Sequence, residues 1–336
     1  MDSSKRFVNF RRLAKLGVVL ALCVVMLGAW VRLSDAGLGC PDWPGCYGQL
    51  TVPETASDVA GANSAFPERP VEAHKAWKEM VHRYLAGSLG LVIAGLFFMA
   101  LRNRAHKEQP LFWPTVLVLL VIFQAALGMW TVTLKLKPLI VMGHLLGGFA
   151  TLSLLWWLVI STSQRFYQAG RGRWLFGFSL LGVAFLCIQI ALGGWTSSNY
   201  AALACPDFPQ CQQQWWPAMD FKEGFVLWRG LGQNYEFGVL EHPARTAVHM
   251  AHRLGALFIG SYLLLMLLKV VSAGVSSMSR SVGAVALILL LTQIGLGISN
   301  VVFHLPLYVA VAHNGVAAML LLSLITLSVS LYRQQK

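Results

Sequence analysis

The chain has 336 residues, of which 56% are hydrophobic and only 12% charged. A soluble domain is about a quarter charged, so this composition excludes an ordinary water-soluble globule and makes the bilayer the expected solvent. The net charge of +12 would suggest nucleic acid in a soluble protein. Here the basic residues mark one side of a membrane, and no nucleic-acid partner is expected.

Eight apolar stretches, at 13–33, 78–101, 112–133, 138–161, 174–197, 245–270, 281–303 and 307–331, each hold about 20 residues, enough to cross the hydrocarbon core as helices. The first follows Lys5, Arg6, Arg11, Arg12 and Lys15, as a signal peptide does. It matches a later span, however, and is read as a retained helix. Further basic residues lie at Arg102, Arg104, Lys107, Arg165, Arg171, Arg173, Lys269, Arg280, Arg333 and Lys336, with only Asp2 and Glu108 as acids on that side. The Lys/Arg bias predicts cytoplasmic termini and outward-facing loops at 34–77 and 198–244.

The first outer loop contains CPDWPGC, with Cys40 and Cys46, and the second CPDFPQC, with Cys205 and Cys211. Outside a bacterial inner membrane the environment is oxidising, so each pair is expected to form a short-loop disulfide; a metal site is the rival reading. Cys23 and Cys187 lie within spans and are expected to pack there. Trp30, Trp113, Trp130 and Trp195 sit at span ends, as an interfacial belt does. The second span opens with EMVHRYLAG, which puts Glu79, His82 and Arg83 where ionisable groups are costly.

The pattern is written twice. LGAWVRLSDAGLGCPDWPGC from Leu27 aligns with LGGWTSSNYAALACPDFPQC from Leu192 at a shift of 165, and EMVHR meets HMAHR at 170. QAALG from Gln124 meets QIGLG from Gln293 at 169. Eight spans are thus two copies of four with the same topology, related by an axis along the membrane normal. The predicted architecture is an all-α membrane protein of two tandem pseudo-symmetric four-helix bundles, divided as 1–165 and 166–336.

Two histidines survive in both copies: His82 with His252, and His144 with His313. Each lies a few residues inside the outer end of its helix. The two such helices of a copy run in the same direction, so their imidazoles reach similar depth and suit axial ligation of haem iron. Gly87, Gly90, Gly147 and Gly148 would let a flat macrocycle approach the backbone, or serve ordinary helix packing. Arg83 and Arg253 suit haem propionates, or snorkel to headgroups. The copies differ at position 79, where Glu79 aligns with His249. A carboxylate one turn from His82 has no use in a symmetric carrier, but serves a site that oxidises a haem substituent.

GAWVRLSDAGLGCPDWPGC, HKAWKEMVHRYLAG, GHLLGGF, the second HMAHR and AHNGVAA resemble the haem A synthase family over nearly the whole chain. The resemblance implies an eight-span inner-membrane enzyme that oxidises a ring methyl of haem O to a formyl group, through a hydroxymethyl intermediate, for cytochrome oxidase assembly. It implies Glu79 as the catalytic carboxylate, His82 and His144 around the substrate haem, and His252 and His313 as ligands of a resident haem b able to relay electrons. It ties Cys40 and Cys46 to activity and leaves Cys205 and Cys211 structural. Haem O synthase, assembly factors and a second copy of the chain are the partners it suggests. Two rival readings are a dihaem b electron-transfer protein between quinol and an outer partner, and a transporter or haem exporter. The second lacks the midplane polar residues transporters carry. The loop 215–241, His74 and His242 are unassigned.

Overall fold

The computed structural model describes residues 3–163 and 173–332. Asp2, Arg165, Arg171, Arg333 and Lys336 of the charge pattern lie outside the described residues. The elements are α1 (Ser3–Leu33), α2 (Ala56–Ala65), α3 (Ala73–Arg102), α4 (Phe112–Thr133), α5 (Pro138–Ser161), α6 (Arg173–Ser198), α7 (Phe221–Gly224), α8 (His242–Ser272), α9 (Ser277–Val302) and α10 (Leu307–Tyr332). Eight of them are long and apolar enough to cross a membrane. Among the described residues the only β pairing is two isolated bridges, Cys46 with Gln49 and Cys211 with Gln214. The protein is therefore an all-α membrane protein.

Local chemistry sets the helix ends. Pro138 opens α5 and Pro243 lies in the first turn of α8, where a missing N–H costs nothing. Ser276 caps α9 by accepting the Ser279 N–H at 3.2 Å, satisfying an otherwise orphaned donor. The tight α4–α5 and α9–α10 connections are built alike. Lys135 and Leu136 in one, and His304 and Leu305 in the other, take positive φ of 48°, 59°, 56° and 62°. Left-handed backbone is uncommon for such residues, and its recurrence in both copies is structural evidence of the repeat.

The chain divides into two compact units. The first comprises Met1–Leu152 and Leu227–Val239. Within it α1 packs on α3 and α3 on α4; Gly147 of α5 meets Gln124 of α4, and Gly148 meets Val25 of α1. The second comprises Ser153–Val226 and Leu240–Lys336, in which α6 packs on α8, α8 on α9, α9 on α10, and α10 back on α6.

The unassigned loop 215–241 is thus shared. Its residues 227–239 fold as a strap within the first unit. The Tyr235 N–H donates to the Lys135 carbonyl at 3.0 Å. Arg69 forms a two-pronged ion pair with Glu236 at 2.6 and 2.8 Å, and its Nε donates to the Leu38 carbonyl at 2.8 Å. Lys137, 2% exposed, donates to the Gly230 carbonyl at 2.6 Å and lies 3.3 Å from the Trp228 ring centroid. This burial pushes the Lys137 pKa down.

Two expectations need correction. Cys23 and Cys187 do not pack inside; both are exposed. They sit on outward helix faces, where a free thiol behaves as a small hydrophobe. Trp195 is not an interfacial residue: it is 4% exposed and its indole N–H donates to the Gly224 carbonyl at 2.9 Å. The α7 turn covers it and supplies the polar partner a buried Trp requires.

Candidate functional site

Each unit brings two imidazoles together. His82 of α3 and His144 of α5 lie close enough to interact electrostatically, as do His252 of α8 and His313 of α10. All four rings are half-buried. The Nδ1 atoms of His82, His144 and His313 are buried without a protein partner, an arrangement native proteins avoid unless something else satisfies the group.

A neighbouring helix presents a glycine to every one of these rings. A Cβ placed on Gly28 would lie 3.0 Å from His82 Cε1, on Gly193 3.1 Å from His252 Cε1, on Gly297 3.2 Å from His313 Cε1, and on Gly128 3.5 Å from His144 Cε1. Gly28 aligns with Gly193, and Gly128 with Gly297, at the repeat shifts of 165 and 169. The glycines expected from sequence behave differently. A Cβ at Gly87 or Gly90 would meet nothing within 4 Å, and the face of Gly147 is filled by Gln124. The signal for the glycines that do face the imidazoles was present in the recurrent L-G pairs of α1, α4, α6 and α9.

Above the imidazoles sit the two disulfide loops, and they are built alike. Cys40–Cys46 and Cys205–Cys211 are bonded, with Cα atoms 4.9 and 4.6 Å apart, so the metal reading of the cysteines falls. Both loops contain a cis proline, Pro44 and Pro209. Asp42 accepts the Tyr47 and Gly48 N–H groups at 2.6 and 2.7 Å; Asp207 accepts those of Gln212 and Gln213 at 2.5 and 2.8 Å. Partial burial pushes the Asp207 pKa up, but these two N–H groups and Arg253 outweigh it and hold the carboxyl below its ordinary range.

The arginines expected at propionates also bind these loops. Arg83 Nη1 donates to the carbonyls of Asp42 at 3.0 Å, of Pro44 at 3.2 Å and of Gly45, while Nη2 donates to Glu79. Arg253 donates to the carbonyls of Gln210, Cys205 and Asp207 at 2.8, 2.9 and 2.8 Å. Its Nε is buried without a protein partner.

Position 79 is where the equivalent arrangements part. Glu79 is 5% exposed, and its Oε2 accepts the Cys40 N–H at 3.0 Å. His249 is 4% exposed, and its Nδ1 accepts the Cys205 N–H at 3.2 Å. The same backbone donor, fixed by the same disulfide loop, thus holds a carboxylate in one unit and an imidazole in the other. The five contacts on Glu79 and Arg83 join helix, loop and disulfide into one piece. Sequence reading found Glu79 but missed that the cysteine loop positions it.

The site residues fit iron-porphyrin ligation: paired imidazoles with unpartnered nitrogens, glycine-relieved flanks and an apolar bundle around them. Residues 11–325 match the cytochrome oxidase assembly protein family (COX15-CtaA). The chain is 46% identical over 325 residues to a haem A synthase of Shewanella oneidensis, covering 96% of each chain. It is 27% identical to one of Agrobacterium fabrum, covering 93% of this chain and 88% of the relative. It is 25% identical to one of Bacillus licheniformis, covering 97% and 98%. The chain belongs to the COX15-CtaA family of cytochrome oxidase assembly proteins.

Proposed function

We propose that the protein is a haem A synthase: an oxidoreductase that converts a ring methyl of haem O to a formyl group in the first unit. The observation that carries this reading is the exchange of Glu79 for His249 within otherwise equivalent loop and helix surroundings. His82 and His144 bracket the substrate, and His252 and His313 hold a resident haem b, which when bound supplies one-electron chemistry. The orphaned imidazole nitrogens and the facing glycines support both assignments.

Turning the methyl into a formyl group takes oxygen from one water and releases four protons and four electrons (R–CH3 + H2O → R–CHO + 4 H+ + 4 e−). It runs in two two-electron steps through the hydroxymethyl, with the electrons passing to an external electron acceptor. The chain's own contribution is to fix charge and accept protons beside that carbon. Glu79 is held by the Cys40 N–H on one oxygen and by Arg83 on the other. The carboxylate has four acceptor positions, more than these partners fill, so it can still take a proton or meet positive charge developing on the substrate. Arg83 fixes the loop that fixes Glu79. Arg253 keeps a buried Nε–H without a protein partner for a propionate oxygen.

The basic termini and short loops support cytoplasmic ends in a bacterial inner membrane, with both disulfide loops outside. The halves 1–165 and 166–336 act as substrate half and redox half. Haem O synthase, oxidase assembly factors and a second copy of the chain are the proposed partners. The test is expression in cells that make haem O but no haem A, followed by haem extraction and reversed-phase chromatography. Haem A in the membranes supports the synthase. Haem b alone, with haem O unconverted, overturns it in favour of a dihaem b electron carrier.

A further inference from the structure

The four helices that face the imidazoles carry one motif with one exception. It reads QAALG at 124–128, QIALG at 189–193 and QIGLG at 293–297, but VVMLG at 24–28. The final glycine faces a His ring in every case. In the second unit the glutamine four residues earlier, on the same helix face, meets the same histidine. Gln189 Nε2 lies 3.0 Å from His252 Nδ1 and donates to the His252 carbonyl at 3.0 Å. Gln293 Nε2 lies 3.2 Å from His313 Nε2. Gln124 instead turns its amide toward Gly147, whose added Cβ would lie 1.7 Å from Nε2. The equivalent of Gln189 in the first unit is Val24, and His82 Nδ1 is buried with no partner.

We propose that the pair Val24 and Gln189 sets how long each site keeps its haem. The inference rests on the axial-ligand reading above. An imidazole that binds iron through Nε2 carries its proton on Nδ1, and a partner for that N–H fixes the ring and strengthens the ligand. Gln189 Oε1 is itself buried without a partner. A half-turn of the amide exchanges the donation to the His252 carbonyl, an acceptor the α8 helix ladder already uses, for an Oε1 that accepts the Nδ1 proton. Valine has nothing to offer His82. The second site therefore retains its haem, while the first releases one, as a site must when substrate enters and product leaves. Residues 24 and 189 are positioning residues; neither touches the reacting carbon.

The test uses the full-length protein in detergent, loaded with haem b and mixed with excess apomyoglobin, with haem transfer followed by visible absorption. Wild type should lose haem in a fast and a slow phase. His82→Ala should abolish the fast phase and His252→Ala the slow one. Gln189→Val should accelerate the slow phase by about 10–100-fold, the range expected for loss of such a partner, and Val24→Gln should slow the fast phase. If the two alanine variants each remove a phase while both exchanges at 24 and 189 leave the rates unchanged, this proposal is wrong and the ligand assignment stands. If the alanine variants leave both phases intact, the ligand assignment itself is wrong.

Discussion

Placing a methyl group on Gly28 tests the imidazole geometry without touching an imidazole. The added Cβ of Gly28→Ala would lie 3.0 Å from His82 Cε1, where ordinary contact begins at 3.4 Å. The ring must then move by a few tenths of an ångström, or the helices must part. Overpacking of this kind costs about 1–3 kcal/mol, which weakens haem occupancy on the order of 5- to 150-fold. The backbone effect has the opposite sign, because alanine favours a helix over glycine by about 1 kcal/mol. An unligated ring can turn aside from the new methyl whereas iron ligation holds it in place, so the signature is specific: haem content of the first unit falls while the thermal stability of the haem-free protein holds or rises. Gly193→Ala, at 3.1 Å from His252, should do the same to the second unit. Gly128→Ala at 3.5 Å is ordinary contact and should be mild, and Gly87→Ala meets nothing within 4 Å. Haem content and absorption spectra of the purified variants provide the assay. Wild-type haem retention in Gly28→Ala and Gly193→Ala, or a greater loss in Gly128→Ala, would refute the geometry.

Other regions give separate expectations. Arg83→Lys keeps the charge but loses the planar fork that joins three loop carbonyls to Glu79; haem A formation should fall with haem content retained, as pigment analysis of membranes will report. Glu236→Ala removes the partner of Arg69 in the strap and should destabilise the first unit by about 1.5–3 kcal/mol, the usual range for a hydrogen bond to a charged group, measured by thermal unfolding. The Asp207 carboxyl is held below its ordinary range, so its stabilisation is complete above the unfolded carboxylate pKa and is lost as pH falls through the folded one. Asp207→Asn should therefore melt lower than wild type at neutral pH, with the gap closing in acid.

Much of this arrangement was legible from the residues. Span positions follow from apolar run length, and the observed helices agree with the expected eight. The matched histidines were recoverable because the repeat separates retained residues from drifting ones. Faces were harder. Hydropathy registers Trp195, Cys23 and Cys187 as span residues and says nothing of which side of the helix they occupy, so burial of the first and exposure of the others were misread. The arginines were assigned by charge complementarity alone. Their carbonyl partners sit about forty residues away in the CPDWPGC and CPDFPQC loops, and a motif of side chains does not say which of its backbone carbonyls face an arginine. The strap at 227–239 has neither period nor repeat partner, and its attachment depends on Arg69 and Lys137, single cations unremarkable in the sequence.

The central claim is that Glu79 serves the oxidation in the first unit as proton acceptor and charge stabiliser, while the imidazoles hold haem. Pigment extracted from membranes of haem-O-producing cells carrying the Glu79→Gln variant tests it most directly. The account predicts haem content near wild type, with the product halted at haem O or the hydroxymethyl intermediate. Haem A at the wild-type level from this variant would contradict it.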